Sequence, residues 1–558
     1  MCGVRPGQCL FAILLREAPK SAEIGHFQCG YEAPEFNPAG SNRPSHGPST
    51  KSYRAMVNPL RMTSVSATPA APSLRDEVKA AVIWRSGSQI AAQIVAWCST
   101  LAVIRILDPA DYGVFAMSQV VLAFLSFLNG WGFASALVQD RAIDTHKVRQ
   151  AFGMMLLVNV GIALIQLGLA PLAADYYRQP VVAELLRVQA LMFLATPFIA
   201  LPEALLIREL DFKRPAIANL SATLVSAIVA LACALGGAGV WTLVYAPLAF
   251  FWVRALVLVL AARFFMLPSF RFAGAGRMFN FGLMLLGGYF FWTILTHADV
   301  FIAARFLSAH ELGLYAEALF LTTIIAAKFV PPLNEVAFPA YARIQDEPEA
   351  LTAAFLKAVR LIMLVTCPLY FGLAVVAQDA VDLVLGPKWQ AMAPLVAILA
   401  FGMPMFTLYS LFAPAVTALG RTAITMRSAM VGALVMPLAF LVAIQWGALG
   451  LAWAWVLAFP VVPLAAFLQA RAPLGLTANG MAAALVPGIA ASAAMAVVIA
   501  LAAPALDGLA GWQRLPLLVG LGGATYAALL YAVSRETLRE LIGLLGRRGP
   551  DPALQPAE

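Results

Sequence analysis

Charge is what this sequence has least of: Asp, Glu, Lys and Arg make up 12% of its 558 residues, against a hydrophobic fraction of 61%. Soluble domains carry about 25% charged residues and cannot hide so much apolar surface. With a mean hydropathy of +0.82, lipid is the solvent that tolerates such a chain. Cysteine is scarce and unpatterned. Cys2, Cys9 and Cys29 lie in a polar leader and Cys98, Cys233 and Cys367 in apolar stretches, with no CxxC and no Cys/His cluster. Neither a disulfide framework nor a metal site is expected, and the cysteines are expected as buried free thiols. His26, His46, His146, His297 and His310 are scattered, and no catalytic constellation or Walker A loop occurs. ATP hydrolysis, enzymatic activity and a cofactor are therefore not expected. The net charge of +8 sits as single residues in short loops, unlike the groove of a nucleic-acid binder.

What is present is a succession of apolar stretches of about 20 residues, the length that crosses a hydrocarbon core near 30 Å. They fall at 82–106, 112–137, 150–173, 186–207, 215–237, 239–262, 277–298, 312–336, 358–378, 391–416, 425–446, 448–469, 481–504 and 514–534. These stretches predict an all-α polytopic membrane protein of about fourteen spans. Basic residues alternate between the two sides. After even-numbered spans come Arg141, Lys147 and Arg149, then Arg208, Lys213 and Arg214, and further on Arg343, Lys357, Arg421 and Arg471. After odd-numbered spans the main basic residues are Arg178, Lys388 and Arg514. Cytoplasmic loops attract Lys and Arg, so both termini are expected in the cytoplasm. The largest loop is expected near 338–357; no external loop is large enough to house an active site. Residues 1–75 hold no span, and the expected start is Met62, with the earlier residues as translated upstream sequence. A native peptide containing Phe27 or Tyr31 in mass spectrometry would contradict that start.

The chain also repeats itself. Arg105-Ile-Leu-Asp-Pro-Ala-Asp-Tyr-Gly113-Val-Phe-Ala116 precedes span two, and Arg305-Phe-Leu-Ser-Ala-His-Glu-Leu-Gly313-Leu-Tyr-Ala316 precedes span eight. Arg, Leu, an acid, Gly, an aromatic and Ala match in register. Gly236-Gly-Ala-Gly239 before span six is echoed by Gly447-Ala-Leu-Gly450 before span twelve. Six spans separate the copies, so the halves run in parallel, with a pseudo-twofold axis along the membrane normal and a site between them. The expected organisation is a leader (1–75), two six-helix lobes (80–270 and 275–470), two extra helices (478–535) and a cytoplasmic tail (536–558).

These segments, with Gly132-Phe-Ala-Ser-Ala-Leu-Val-Gln139, Arg208-Glu-Leu-Asp-Phe-Lys213, Gly386-Pro-Lys-Trp389 and Ala418-Leu-Gly-Arg421, carry a resemblance. From about residue 80 to about 470 the sequence resembles the Wzx-type polysaccharide transporters, in particular the colanic-acid-exporter-like group. These belong to the multidrug/oligosaccharidyl-lipid/polysaccharide exporter superfamily. The resemblance implies export of undecaprenyl-pyrophosphate-linked sugar repeat units across the bacterial inner membrane for surface polysaccharide. It also implies working alongside polysaccharide polymerase and chain-length machinery.

Ionisable groups at membrane depth cost at least about 2.5–3.5 kcal/mol at the centre, so each requires a reason. Arg85, Gln89 and Gln93 follow at four-residue steps on one face of span one. They line a wet cavity, or Arg85 snorkels to the surface while the glutamines bond neighbouring helices. Arg254 in span six and Lys328 in span eight lie roughly 12 Å inside the span ends, which favours a cavity-lining role over snorkelling. The five are the candidate substrate-binding residues, set to draw in the pyrophosphate. Asp299 and Glu317 are candidates for a coupling proton or cation, the alternative for Asp299 being a structural ion pair with Arg305. Glu203 is the expected partner of Arg208, and Pro331-Pro332 is expected to kink or end span eight. Gly282, Gly287, Gly288, Tyr289 and Trp292 give span seven a face suited either to a sugar or to plain helix packing. Gly113 and Gly313 are expected in matching short turns as hinges. The function expected is that of a flippase for a lipid-linked oligosaccharide, working by alternating access. One rival is a multidrug/cation antiporter of the same superfamily, whose cavity should be acidic. The other is a membrane polymerase, ligase or glycosyltransferase, which needs a catalytic external loop.

Overall fold

The computed structural model describes residues 74–126, 128, 145–209, 211–270 and 276–533, with side chains for all of these except 74–86, 276–289 and 533. Every element among the described residues is helical. The first half contributes α1 (Leu74–Ile106), α2 (Pro109–Ser126), α3 (Thr145–Tyr177), α4 (Pro180–Arg208), α5 (Lys213–Leu235) and α6 (Trp241–Ala261). The second contributes α7 (Gly276–Phe306), α8 (Ala309–Arg343), α9 (Pro348–Val375), the short α10 (Ala377–Val384), α11 (Ala393–Ser410), α12 (Phe412–Ala418), α13 (Thr422–Ala443), α14 (Gly447–Leu457) and α15 (Val461–Ala470). Two further helices follow, α16 (Ala478–Ala502) and α17 (Gly511–Val533). Eleven helical stretches among the described residues are long and apolar enough to cross a membrane, one of them, Thr422–Ala470, containing two of the expected spans. The protein is a multi-pass membrane protein. Large apolar side chains such as Leu235, Leu457 and Leu501 point outward at more than 70% exposure, as surfaces solvated by acyl chains do.

Four local features depart from the sequence expectation. The loop expected near 338–357 shrinks to 344–347, because α8 and α9 extend past the bilayer. At 35 residues, α8 is roughly 52 Å long against a core of about 30 Å. Of the kink or end expected at Pro331 and Pro332, the end does not occur: α8 continues through them to Arg343. The prolines withhold two backbone donors, but the Asn334 amide ties this stretch to the Ser410 carbonyl at 3.2 Å, and packing on neighbouring helices holds the rest. Spans ten and twelve are each broken in two, the second at Pro460 between α14 and α15, where the ring removes a helical hydrogen bond. Among the described cysteines only Cys367 is buried; Cys98 is exposed on α1 and Cys233 partly so.

The segment joining the halves lies along the start of α3. Ser269 donates to the Arg149 carbonyl at 2.8 Å, and the Arg149 Nε donates to the Leu267 carbonyl at 2.9 Å. A Cβ on Gly153 would collide with the Ser269 backbone, so glycine is what permits this approach. The two halves meet mainly where α2 and α8 cross, with α7 also touching α2 and α3.

Candidate functional site

The repeat seen in the sequence becomes a physical junction. Ser308 caps α8, its side chain accepting from Glu311 N while Glu311 accepts from Ser308 N. The Asp111 carboxylate likewise accepts from Asp108 N ahead of α2. One turn into each helix the repeated glycines face each other. A Cβ on Gly113 would overlap the Ala309 carbonyl oxygen, and one on Gly313 would overlap the Pro109 carbonyl oxygen. The clashes are reciprocal at an offset of 200 residues in both partners, so the two repeat segments approach each other in equivalent ways. The expectation of glycines in turns is corrected. Both lie inside helices, neither has positive φ, and what glycine supplies is close approach of two backbones.

Arginines from the same repeat position bind across this seam. Arg105 closes α1 and donates to the carbonyls of Val384 (Nε, 2.7 Å) and Leu383 (Nη2, 2.6 Å) in the second half. Arg305 closes α7 and donates to the Tyr176 carbonyl at 2.9 Å in the first half, with Tyr176 stacked on Phe301. Lys388 pairs with Asp108 at 2.7 Å. The fully buried Trp389 donates to the Ile104 carbonyl at 2.9 Å and meets the Tyr112 ring edge-on at 5.3 Å. Backbone carbonyls at helix ends lack intrahelical partners, so a guanidinium there satisfies them and complements the helix dipole. Together these contacts close one end of the interface between the halves.

The candidate substrate residues divide. Gln93 and Lys328 come together from different halves, Lys328 Nζ donating to Gln93 Oε1 at 2.9 Å, and both are exposed. Gln89 is exposed on the same face of α1; the Arg85 side chain lies outside the described residues. Arg254 is elsewhere. Its Nη2 donates to both carboxylate oxygens of Glu203 at 2.9 Å, with the pair about one-fifth exposed, and its guanidinium lies 5.9 Å from the Phe250 ring centre. Glu203 thus binds Arg254, where the sequence suggests Arg208. Residues 203 and 254 are brought together because α4 packs on α6, a juxtaposition the linear sequence does not display. The Arg254 charge is therefore already neutralised within the first half.

Asp299 does not pair with Arg305. Its side chain is fully buried, accepting from the Tyr315 hydroxyl at 2.8 Å and Trp455 Nε1 at 3.2 Å on one oxygen, and from Val300 N at 2.7 Å on the other. Trp455 also donates to the Tyr315 hydroxyl at 3.0 Å. The network joins α7, α8 and α14 just beneath the seam, with Tyr315 two residues from Gly313. Among the described residues no cation lies within ion-pair distance of Asp299. Glu317, half-buried one turn beyond Gly313 along α8, lies on the helix that packs on α2 of the other half. Trp292 stacks on Tyr409 at 6.0 Å, which favours packing over sugar contact for this residue. The other four residues of that proposed face, Gly282, Gly287, Gly288 and Tyr289, lie outside the described side chains.

The sequence does not single out Arg105, Lys388 or Trp389, which the structure places at the seam. A signal for Arg105 is present, since the repeat holds arginine at the same place in both copies. The sequence announces no helix between Gln378 and Gln390, a stretch too short and too mixed to register as a span.

Comparison with known proteins agrees with this architecture. The lipid II flippase MurJ, in an inward closed conformation, superimposes with a TM-score of 0.66 over 82% of this chain and 100% of its own, at 12% identity. A multidrug resistance MATE family transporter of the MOP superfamily gives 0.56 over 69% of this chain and 98% of its own. In sequence, the lipopolysaccharide biosynthesis protein WzxC of Escherichia coli is 24% identical over 59% of this chain and 67% of its own length. The succinoglycan biosynthesis transport protein ExoT of Rhizobium meliloti is 26% identical over 57% and 65%, so these alignments span about two thirds of the relatives. The family model described as "polysaccharide biosynthesis protein" matches residues 102–394, more than half of the chain. The chain belongs to that family, as a Wzx-type polysaccharide transporter on the fold of the MOP superfamily.

Proposed function

We propose that this protein is a flippase that carries an undecaprenyl-pyrophosphate-linked oligosaccharide across the bacterial inner membrane for surface polysaccharide synthesis. The observation that carries the mechanism is the pseudo-symmetric seam at Gly113 and Gly313. An interface built from two equivalent halves, closed at one end by equivalent residues, is what alternating access by rocking lobes requires. The alternation of basic loops assigns the seam end to the outside and both termini to the cytoplasm. The conformation is then one shut toward the outside, from which the substrate is taken on the cytoplasmic side. The fold it shares with a lipid flippase and the names of its relatives support this reading. Delivery to a polymerase and chain-length machinery follows from it.

Of the candidate cations whose side chains are described, Lys328, exposed and bonded to Gln93 across the halves, is the one open to the pyrophosphate. Arg254 engages an anion only when Glu203 yields. Lys328→Gln is expected to lower export of repeat units about tenfold at normal protein level, and Lys328→Glu further, because a like charge then meets the phosphates. The assay is surface polysaccharide in a strain lacking the native gene, with lipid-linked repeat units measured inside. Normal export by both variants would remove Lys328 from the substrate path.

Arg254→Gln is expected to lower the protein level, since it strands Glu203 in a largely buried site at a cost of up to about 3 kcal/mol. Arg254→Gln combined with Glu203→Gln separates the two roles. A structural pair predicts that protein level and export both recover in the double variant. Recovered level without export would make Arg254 a substrate ligand.

A further inference from the structure

The helices outside the repeat, α16 and α17, have no counterpart in the first half and no place in the mechanism above. Their attachment is specific. The Tyr526 hydroxyl of α17 donates to the Leu364 carbonyl of α9 at 2.7 Å. Leu364, Val376, Met495, Ile499, Leu518 and Leu530 form a shared apolar cluster. At the seam end, Arg514 in the first turn of α17 reaches away from its own helix. Its Nη1 pairs with Asp379 at 3.1 Å and its Nη2 with Asp507 at 2.9 Å. The two carboxylates differ: Asp379 is 13% exposed and Asp507 is 65% exposed. Asp379 belongs to the first turn of α10, where an acid also complements the helix dipole.

The other end of α10 is what Arg105 holds. The helix ends here, with Leu385 N and Gly386 N both donating to the Val381 carbonyl; Pro387 has no N–H to give to the Leu383 carbonyl, and the Val384 carbonyl lies in the last turn, where helical donors run out. Arg105 of the opposite half takes both. The chain then turns into the short helix Pro387–Met392, which carries Lys388 and Trp389 onto Asp108 and the Ile104 carbonyl. Eight residues of helix, roughly 12 Å, thus have Arg514 at one end and Arg105 at the other. On the opposite side of the pseudo-twofold axis, Arg305 grips the Tyr176 carbonyl directly, and α3 passes to α4 through residues 178 and 179 alone. The arginines are symmetric; the lever lies only on the side that the extra helices reach.

We infer that α16 and α17 brace the closed outer seam through α10. Arg514 is a positioning residue that fixes Asp379, and with it the two carbonyls that Arg105 binds. Without the ion pair, α10 is free to tilt on its C-terminal end, and the Arg105 and Trp389 contacts lose their fixed platform. This inference rests on the outer-gate reading above and adds to it a role for the two helices that the repeat leaves unexplained.

The test is a distance between the outer ends of the two halves, read by pulsed electron resonance. Spin labels go on Leu235→Cys, at the end of α5, and Gln445→Cys, after α13, in a background without other cysteines. Arg514→Gln and Asp379→Asn should each raise the ratio of long to short distances by about threefold, the scale of a partly exposed ion pair. Arg514→Lys should retain part of the closed population, and Asp507→Asn should match the parent because that carboxylate is mostly solvated. Arg105→Gln, which acts at the seam itself, should shift the distribution at least as far as either. If Arg105→Gln opens the seam while Arg514→Gln and Asp379→Asn do not, the brace is wrong and the gate stands. If none of the three changes the distribution, the gate reading falls and the brace with it. Should Arg514→Gln be poorly produced, Asp379→Asn, which keeps Arg514 paired to Asp507, decides the matter by itself.

Discussion

Alanine at position 113 or 313 is expected to reduce export at least about tenfold, nearly as much as valine, because the first added carbon is the one that collides. The backbone carbonyls of Ala309 and Pro109 occupy the space a Cβ would take, and neither can yield without moving a helix. Overpacking of this kind costs about 1–3 kcal/mol, and each 1.4 kcal/mol is about a tenfold change in an equilibrium such as that between closed and open seams. Gly161 provides the control. Nothing lies within 4 Å of the Cβ it would acquire, so Gly161→Ala in the middle of α3 should be neutral or slightly stabilising. The measurement is surface polysaccharide at matched protein level. Normal export by both Gly113→Ala and Gly313→Ala would show that α2 and α8 need not approach in the transport cycle.

Asp299→Asn is expected to be the most damaging change that preserves shape. The amide oxygen can still accept from Tyr315 and Trp455, so packing beneath the seam survives, while the ability to take up and release a proton or cation is lost. If Asp299 is the coupling group, export falls by at least about tenfold with thermal stability close to the parent. Asp299→Ala differs in kind. It leaves the Tyr315 hydroxyl without its acceptor, at about 1–3 kcal/mol, with only the Tyr315 oxygen left to accept from the Trp455 indole, and so lowers stability as well. Equal export by Asp299→Asn and the parent would reduce the network to a structural role. The network is shared by α7, α8 and α14, and its Tyr315 lies two residues from Gly313, which is the reason to expect that ion binding there is felt at the seam.

Much of this architecture is legible in the sequence because the bilayer imposes one strong rule: apolar runs of a fixed length become helices. The expected spans that fall within the described residues coincide with helices or helix pairs. The repeat is legible too, since glycine and arginine recur at fixed offsets, but its meaning is not. Gly113 and Gly313 read as turn residues because each follows a short connection, and only the packing shows that the two touch. Arg254 misleads for the opposite reason. Its depth makes it look like a solitary cation, and the neutralising Glu203 lies 51 residues away along the chain, visible only once α4 and α6 are side by side. Lys328 and Gln93, 235 residues apart, are each picked out by depth and periodicity; their contact requires the fold. The short α10 escapes notice because eight mixed residues carry too little periodicity to announce a helix between two longer apolar runs.

The most direct test of the account is transport itself. The purified protein is placed in liposomes with an undecaprenyl-pyrophosphate-linked oligosaccharide, extracted from the source strain after its gene is deleted. The fraction of that lipid accessible to an external sugar-specific reagent is then followed in time. The account predicts that protein-containing vesicles expose the inner-leaflet pool, that empty vesicles do not, and that Gly113→Val protein behaves like the empty vesicles. Accessibility that stays the same with and without the protein, while surface polysaccharide in the deletion strain remains normal, would contradict it.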